Sequence, residues 1–284
     1  MPRATASAFA GSQREGMMNS PVSRIAGALV SLLLVAGVLA RPQLSAEQPV
    51  SITVSAAISL KSALDDIGHA YQQAHPGVKI TFHYGGSGTL QHQVEQGAPM
   101  DLFISASPRQ MSALEAEGLI KTETRRDLIG NILVLIVPAP SRIVQSLQDL
   151  IRPEVKVIAL GEPVTVPAGM YARQTLDHMG LLAAVEKKAV YATDVRQVLT
   201  YVETGDADAG FVYKTDAQSS SKVRVAATAP EDSHDPIVYS GAVVKSSGSA
   251  ASARAFLDFV DSPRAREIFT RFGFTPVEKR AGKN

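Results

Sequence analysis

From Val50 onward the chain repeats one pattern: a short run of β-branched and apolar residues, then an amphipathic segment. Residues 50–55 (VSITVS) lead to a helix predicted over about 59–74. Residues 78–84 (VKITFHY) lead to one over about 89–96, and 101–105 (DLFIS) to one over about 108–117. Residues 156–160, 190–192 and 209–212 repeat the pattern later. Strands alternating with helices predict an α/β fold of mostly parallel sheet flanked by helices. Residues 131–137 (NILVLIV) and 237–244 (IVYSGAVV) are apolar strands that bracket the second set of units, and 249–272 reads as two helices broken at Ser262-Pro263. Two layouts fit equally: one continuous sheet in a single large domain, or two lobes with the chain crossing at the bracketing strands.

The N-terminal stretch has a different character. Residues 25–40 read IAGALVSLLLVAGVLA without a charge, and Arg24 stands directly before them. A basic residue, an apolar run of this length and small residues after it describe a secretory signal peptide. The alternative, a membrane anchor, needs roughly 20 apolar residues. Cleavage is expected after Ala46, in Leu44-Ser45-Ala46-Glu47, making 1–46 the leader; cleavage after Ala40 would leave Pro42 second in the mature chain. Translation from Met17 or Met18 gives a more ordinary leader than translation from Met1.

Composition excludes several classes. The 284 residues are 45% hydrophobic and 19% charged, which suits a folded protein. The formal net charge of +1 leaves no basic footprint for nucleic acid. Four of the 28 basic residues and one of the 27 acidic ones precede residue 47, so the mature chain holds 24 against 26 and carries −2. Cysteine is absent, which excludes a disulfide scaffold, a thiolate metal site, a cysteine nucleophile and a lipid-modified N-terminal cysteine.

In open α/β folds ligands sit beyond the carboxyl ends of the strands. Four strand-to-helix corners of this chain are built from small, uncharged residues: Ala57-Ile58-Ser59-Leu60, Gly85-Gly86-Ser87-Gly88-Thr89, Val166-Pro167-Ala168-Gly169-Met170-Tyr171 and Ala192-Thr193-Asp194-Val195. Ser59 reads as an N-cap, and Asp194 or Thr193 as the cap of the helix through Val202. Each corner turns free N–H groups toward its mouth at a positive helix end, which suits an anion. Catalytic patterns are missing. The Gly85–Thr89 loop is neither a nucleophile elbow, a P-loop nor a dinucleotide loop, and the six histidines form no tight metal pair. Hence no enzyme, metal site or cofactor is expected. Tyr213 closes the strand Ala209-Gly210-Phe211-Val212-Tyr213; on its own it reads as a core aromatic or as a hydroxyl directed into a cleft.

With Asp101-Leu102-Phe103-Ile104-Ser105-Ala106, Pro230-Glu231-Asp232-Ser233-His234 and Phe272-Gly273-Phe274-Thr275, these corners make the sequence resemble the periplasmic molybdate-binding proteins of ABC transporters, from about Val50 to Pro276. The resemblance implies a two-lobed periplasmic-binding-protein fold with the ligand in the inter-lobe cleft. It favours the two-lobe layout: 47–131 and 240–284 in lobe one, 132–239 in lobe two. It implies a periplasmic, monomeric receptor that takes molybdate, and tungstate, to a membrane permease; a receptor for another tetrahedral oxyanion such as sulfate is the alternative. Carried onto this sequence, it makes Ser59 and Ser87 hydroxyl and N–H donors, Ala168 and Val195 N–H donors, and Tyr213 a hydroxyl donor. Some family members have a run of serines where this chain has Gly86-Ser87-Gly88, so the loop here is more permissive.

Overall fold

The computed structural model describes residues 49–277, so the leader peptide and its cleavage site lie outside the described residues. In chain order the first units are β1 (Val50–Ala57), α1 (Lys61–Ala74), β2 (Val78–Gly85), α2 (Ser87–Glu95), β3 (Leu102–Ser105) and α3 (Pro108–Ala116). Then come β4 (Arg126–Gly130), β5 (Leu133–Pro138), β6 (Ile158–Gly161), α4 (Pro167–His178), α5 (Leu182–Glu186), β7 (Ala189–Ala192), α6 (Val195–Thr204), β8 (Ala209–Tyr213), α7 (Lys214–Gln218) and β9 (Val223–Thr228). The last are β10 (Val238–Val243), α8 (Ala250–Val260) and α9 (Pro263–Arg271).

The strands form two sheets of five, in the orders β2-β1-β3-β10-β4 and β7-β6-β8-β5-β9. The two sheets share one plan. The first three strands of each are mutually parallel, the fourth is antiparallel to both its neighbours, and the fifth again points with the first three. The expected parallel character therefore holds apart from one reversed strand per sheet. That strand is the one that enters from the other sheet: β5 follows β4 across the junction, and β10 follows β9 back. A chain that leaves one sheet at a strand end and enters the next at once arrives running the opposite way.

Burial follows strand position. The carboxyl half of β1 and all of β3, β6 and β8 are buried on both faces, the mark of strands covered by helices on each side. At the edge, β2 alternates, with Lys79, Thr81 and His83 outward; a charged, alternating edge resists pairing with another chain. α1 buries Ala63, Leu64, Ile67, Gly68 and Tyr71 on one stripe. Tyr71 then meets Phe256 and Phe259 of α8 at 5.1 and 5.2 Å, which seats the returning C-terminal helices on the first sheet. Beyond α9 the chain passes the junction once more: Thr275 and Gly130 exchange backbone hydrogen bonds of 2.7 and 3.0 Å.

Candidate functional site

Ser59, Ser87, Ala168, Val195 and Tyr213 all line one small cavity, between the carboxyl ends of the two sheets. Ser59 and Ser87 come from the first sheet's corners; Ala168, Val195 and Tyr213 come from the second's. Gly85, Gly86, Ala106, Val166 and Pro167 help to close the wall. In this conformation the cavity has the room of about one water molecule, roughly 10 Å³ for its centre, so a tetrahedral anion would have to spread its walls. Among the described residues, none that line this cavity carries a formal charge.

Ser59 is not the N-cap its position suggests. A 3-10 turn, Ile58–Leu60, intervenes between β1 and α1, and neither the turn nor the helix has a side-chain cap. The Ser59 hydroxyl instead lies 2.9 Å from the Tyr239 hydroxyl, and Ser59 is buried. Ser87 is the first residue of α2, which starts two residues earlier than the sequence predicts because Gly86 takes the extended N-cap conformation. Its Oγ accepts the Ala106 N–H at 3.0 Å. A hydroxyl has one proton to give, so with its oxygen serving an N–H behind it, Ser87 keeps its O–H for the cavity.

The two second-lobe helices offer backbone donors. α4 begins at Pro167, whose missing N–H costs nothing at a first turn, and Ala168 follows with an N–H that has no partner within the helix. Close packing brings this helix end in: a Cβ on Gly169 would overlap the Gly161 carbonyl at the end of β6. At α6 the cap is Asp194, whose Oδ1 accepts from Arg196 and Gln197 at 2.8 and 3.0 Å. That leaves the N–H of Val195, one residue earlier, outside the cap.

Tyr213 is 1% exposed, and among the described residues its hydroxyl has no hydrogen-bond partner. An unpaired buried hydroxyl costs about 1–3 kcal/mol, so this one is kept for something. Burial raises its pKa well above the ordinary phenol value, so it remains a donor at any ordinary pH. Behind it Asp216 is fully buried; it accepts the Tyr213 N–H at 3.3 Å and lies 3.1 Å from Arg196 Nε. Burial lifts the Asp216 carboxyl to about 6, against the opposing pull of Arg196. Tyr239, Asn131, Thr215 and Asp216 all stand behind the lining, and sequence reasoning singled out none of them. Asn131 and Tyr239 are not at strand-to-helix corners; Thr215 and Asp216 follow β8 at the start of α7, a corner that sequence reasoning read only for Tyr213, and the burial of all four is a tertiary fact.

The lobes touch across the cleft. Gly88 N–H donates to the Thr165 carbonyl at 2.8 Å, and a Cβ on Gly88 would sit 2.6 Å from Thr165 Cα. The glycine-bordered loop is therefore a bare backbone surface against which the second lobe rests. Among the described residues, no group of three or more His, Asp or Glu side chains is arranged to hold a metal ion.

Comparison with known proteins agrees with this architecture. Residues 52–275 match the family model described as bacterial extracellular solute-binding protein. A putative ABC transporter substrate-binding lipoprotein of Bacillus subtilis is 42% identical over 250 residues, 87% of this chain and 95% of that protein. A molybdate-binding protein of Escherichia coli is 39% identical over 234 residues, 79% of this chain and 88% of that protein. The solved substrate-binding domain of a putative molybdenum ABC transporter from Clostridium difficile superposes with a TM-score of 0.64 at 43% identity, covering 81% of this chain and all of that one. The family is one of solute-binding proteins rather than of enzymes, and the fold is its two-lobed one. The chain belongs to the bacterial extracellular solute-binding protein family, which includes these molybdate-binding relatives.

Proposed function

We propose that this protein captures molybdate, and with it tungstate, and hands it to the permease of an ABC transporter. One observation carries the reading: a small, uncharged cavity between two lobes, ringed by donors and including the buried, unpartnered Tyr213 hydroxyl. Ser59 and Ser87 give hydroxyl and N–H, Ala168 and Val195 give N–H, and Tyr213 gives its hydroxyl. About seven donors at roughly 1.5–3 kcal/mol each supply about 10–20 kcal/mol gross. Association costs about 4–15 kcal/mol, so tight binding needs no Arg or Lys.

A ring of donors selects a fully deprotonated tetrahedral dianion. A protonated oxyanion such as hydrogen phosphate would set its own proton against a donor. Sulfate has the same charge and shape, so size must reject it: a pocket set to longer metal–oxygen bonds leaves sulfate with stretched contacts. The relatives named as molybdate-binding support molybdate over sulfate for this chain. The protein acts as a receptor and not as a catalyst; among the described residues the hydrogen-bond partners of the cavity serine hydroxyls are the Tyr239 hydroxyl and the Ala106 N–H, neither of them a general base.

The rest of the reading follows the leader. Cleavage after Ala46 releases a periplasmic protein that works as a monomer, since one closed molecule is what a permease must recognise. Calorimetric titration of the mature protein with molybdate, tungstate, sulfate and phosphate tests the whole. Tight one-to-one binding of the first two with little response to the others is expected. A preference for sulfate would reassign the receptor, and silence toward all four would overturn it.

A further inference from the structure

Ser59 and Tyr239 face each other at 2.9 Å, and either hydroxyl oxygen is placed to donate. The neighbouring bonds decide which one does. Asn131 Oδ1 accepts the backbone N–H of Ile132 at 2.9 Å, which fixes the orientation of the Asn131 amide. Its Nδ2 therefore points the other way, to Tyr239 Oη at 3.2 Å and to Thr215 Oγ1 at 2.9 Å. An amide NH₂ only donates. Tyr239 thus accepts from Asn131 and has its own proton free for Ser59. Ser59 accepts from Tyr239, and its proton is left for the cavity.

We infer that Asn131 and Tyr239 are positioning residues that fix Ser59 as a hydrogen-bond donor toward the bound anion, through the one-way chain Asn131 to Tyr239 to Ser59. Neither lines the cavity. The chain matches what Ala106 N–H does directly for Ser87: each cavity serine has a donor at its back, so each presents a proton and not a lone pair. An acceptor-only ligand requires this, because a serine turned the other way would set lone pair against oxyanion. The chain also begins where the lobes join. Asn131 lies between β4 and β5, Tyr239 is the second residue of β10, and Thr215 follows the cavity residue Tyr213 on the second lobe. All four side chains of this network are buried.

The inference rests on the oxyanion-receptor reading, and the test separates the two. Molybdate affinity is measured by calorimetry at pH 8 for the wild type, Ser59→Ala, Tyr239→Phe and the double variant. Tyr239→Phe is expected to weaken binding about 3- to 10-fold, the net range for one hydrogen bond. In the Ser59→Ala background it should cost nothing further, because its effect passes through the Ser59 hydroxyl. Asn131→Asp supplies a sharper sign. A carboxylate only accepts, so Tyr239 turns its proton to residue 131, Ser59 turns its own to Tyr239, and lone pairs face the anion. Binding should fall below that of Ser59→Ala. Adding Tyr239→Phe to Asn131→Asp should then restore affinity at least about 3-fold, because it frees the Ser59 proton while leaving the new charge in place. A merely structural Tyr239 would not change sign between backgrounds. Equal losses from Tyr239→Phe with and without the Ser59 hydroxyl, or a further loss in the Asn131→Asp background, would overturn the chain while the receptor stands. A wild type that ignores molybdate would overturn both.

Discussion

The Tyr213 hydroxyl is buried without a partner, which sets stability and binding against each other at a single atom. Tyr213→Phe removes one donor to a charged ligand and also removes an unsatisfied group. Molybdate affinity should fall about 10- to 100-fold, corresponding to roughly 1.5–3 kcal/mol, while the ligand-free protein unfolds at an equal or higher temperature. Calorimetry and thermal unfolding of the same preparation check both; a variant that lost stability along with affinity would mean the hydroxyl is structural. Asp216 makes a separate prediction. Its folded pKa of about 6 lies above the ordinary 3.8, so the native state holds a proton that the unfolded chain has already released. Its contribution to stability is therefore greatest below about pH 4, declines as pH rises to about 6, and is flat above, on the order of 3 kcal/mol in all. Asp216→Asn cannot ionise and should lose that part of the slope, read as the difference between its unfolding free energies at pH 4 and pH 7 and those of the wild type. At this scale the sequence was legible where chemistry shows in residue type. Small corners with hydroxyls marked Ser59, Ser87, Ala168 and Val195 as candidates. Tyr213 needed the family resemblance, and Asn131 and Tyr239 stayed hidden, because a buried polar side chain looks like any other until its neighbours are known.

The corners owe their geometry to the elements that meet there. α2 starts with Ser87 because Gly86 is extended, and the bare face of Gly88 allows contact with Thr165. Gly88 is the second residue of α2, where alanine is a better helix former than glycine by less than the roughly 1 kcal/mol of a helix interior. Gly88→Ala should therefore hold or raise the stability of the free protein, yet its Cβ at 2.6 Å from Thr165 Cα forces the lobes apart. Molybdate binding should weaken at least about tenfold, or 1.4 kcal/mol. Unchanged affinity would show that the Gly88–Thr165 contact forms no part of the binding state. The strands and helices that apolar periodicity marked in the sequence lie within a few residues of their predicted positions, but β4 and β9 went unmarked. Local endings were less so: Ser59 has the residue type of a cap, but a 3-10 turn placed it where Tyr239 was the available partner.

Two sheets built on one plan, each with a single reversed strand, put the carboxyl ends of both parallel sets at the same cleft. Periodicity alone did not distinguish this from one continuous sheet, since the crossing strands β5 and β10 have the composition of any buried strand; only their pairing reveals that they change sheets. The division of donors follows from it. On the proposed reading the first lobe would supply Ser59 and Ser87 and the second Ala168, Val195 and Tyr213, all of which line the cavity, so an open molecule would offer the anion an incomplete shell from either side. The ligand then favours closure by the difference between the whole shell and half of it. An anion that fills the cavity stabilises the folded, closed molecule by RT ln(1 + [L]/Kd), about 2.7 kcal/mol at 100 times Kd. For a chain of this size that is roughly 5–10 °C in unfolding temperature. Molybdate at that excess should produce the shift together with a smaller radius of gyration in solution scattering. Sulfate at the same concentration should produce neither, because stretched contacts cannot hold both lobes at once. Compaction by sulfate equal to that by molybdate would mean that closure does not depend on anion size, and the basis for selectivity would have to lie outside the cavity.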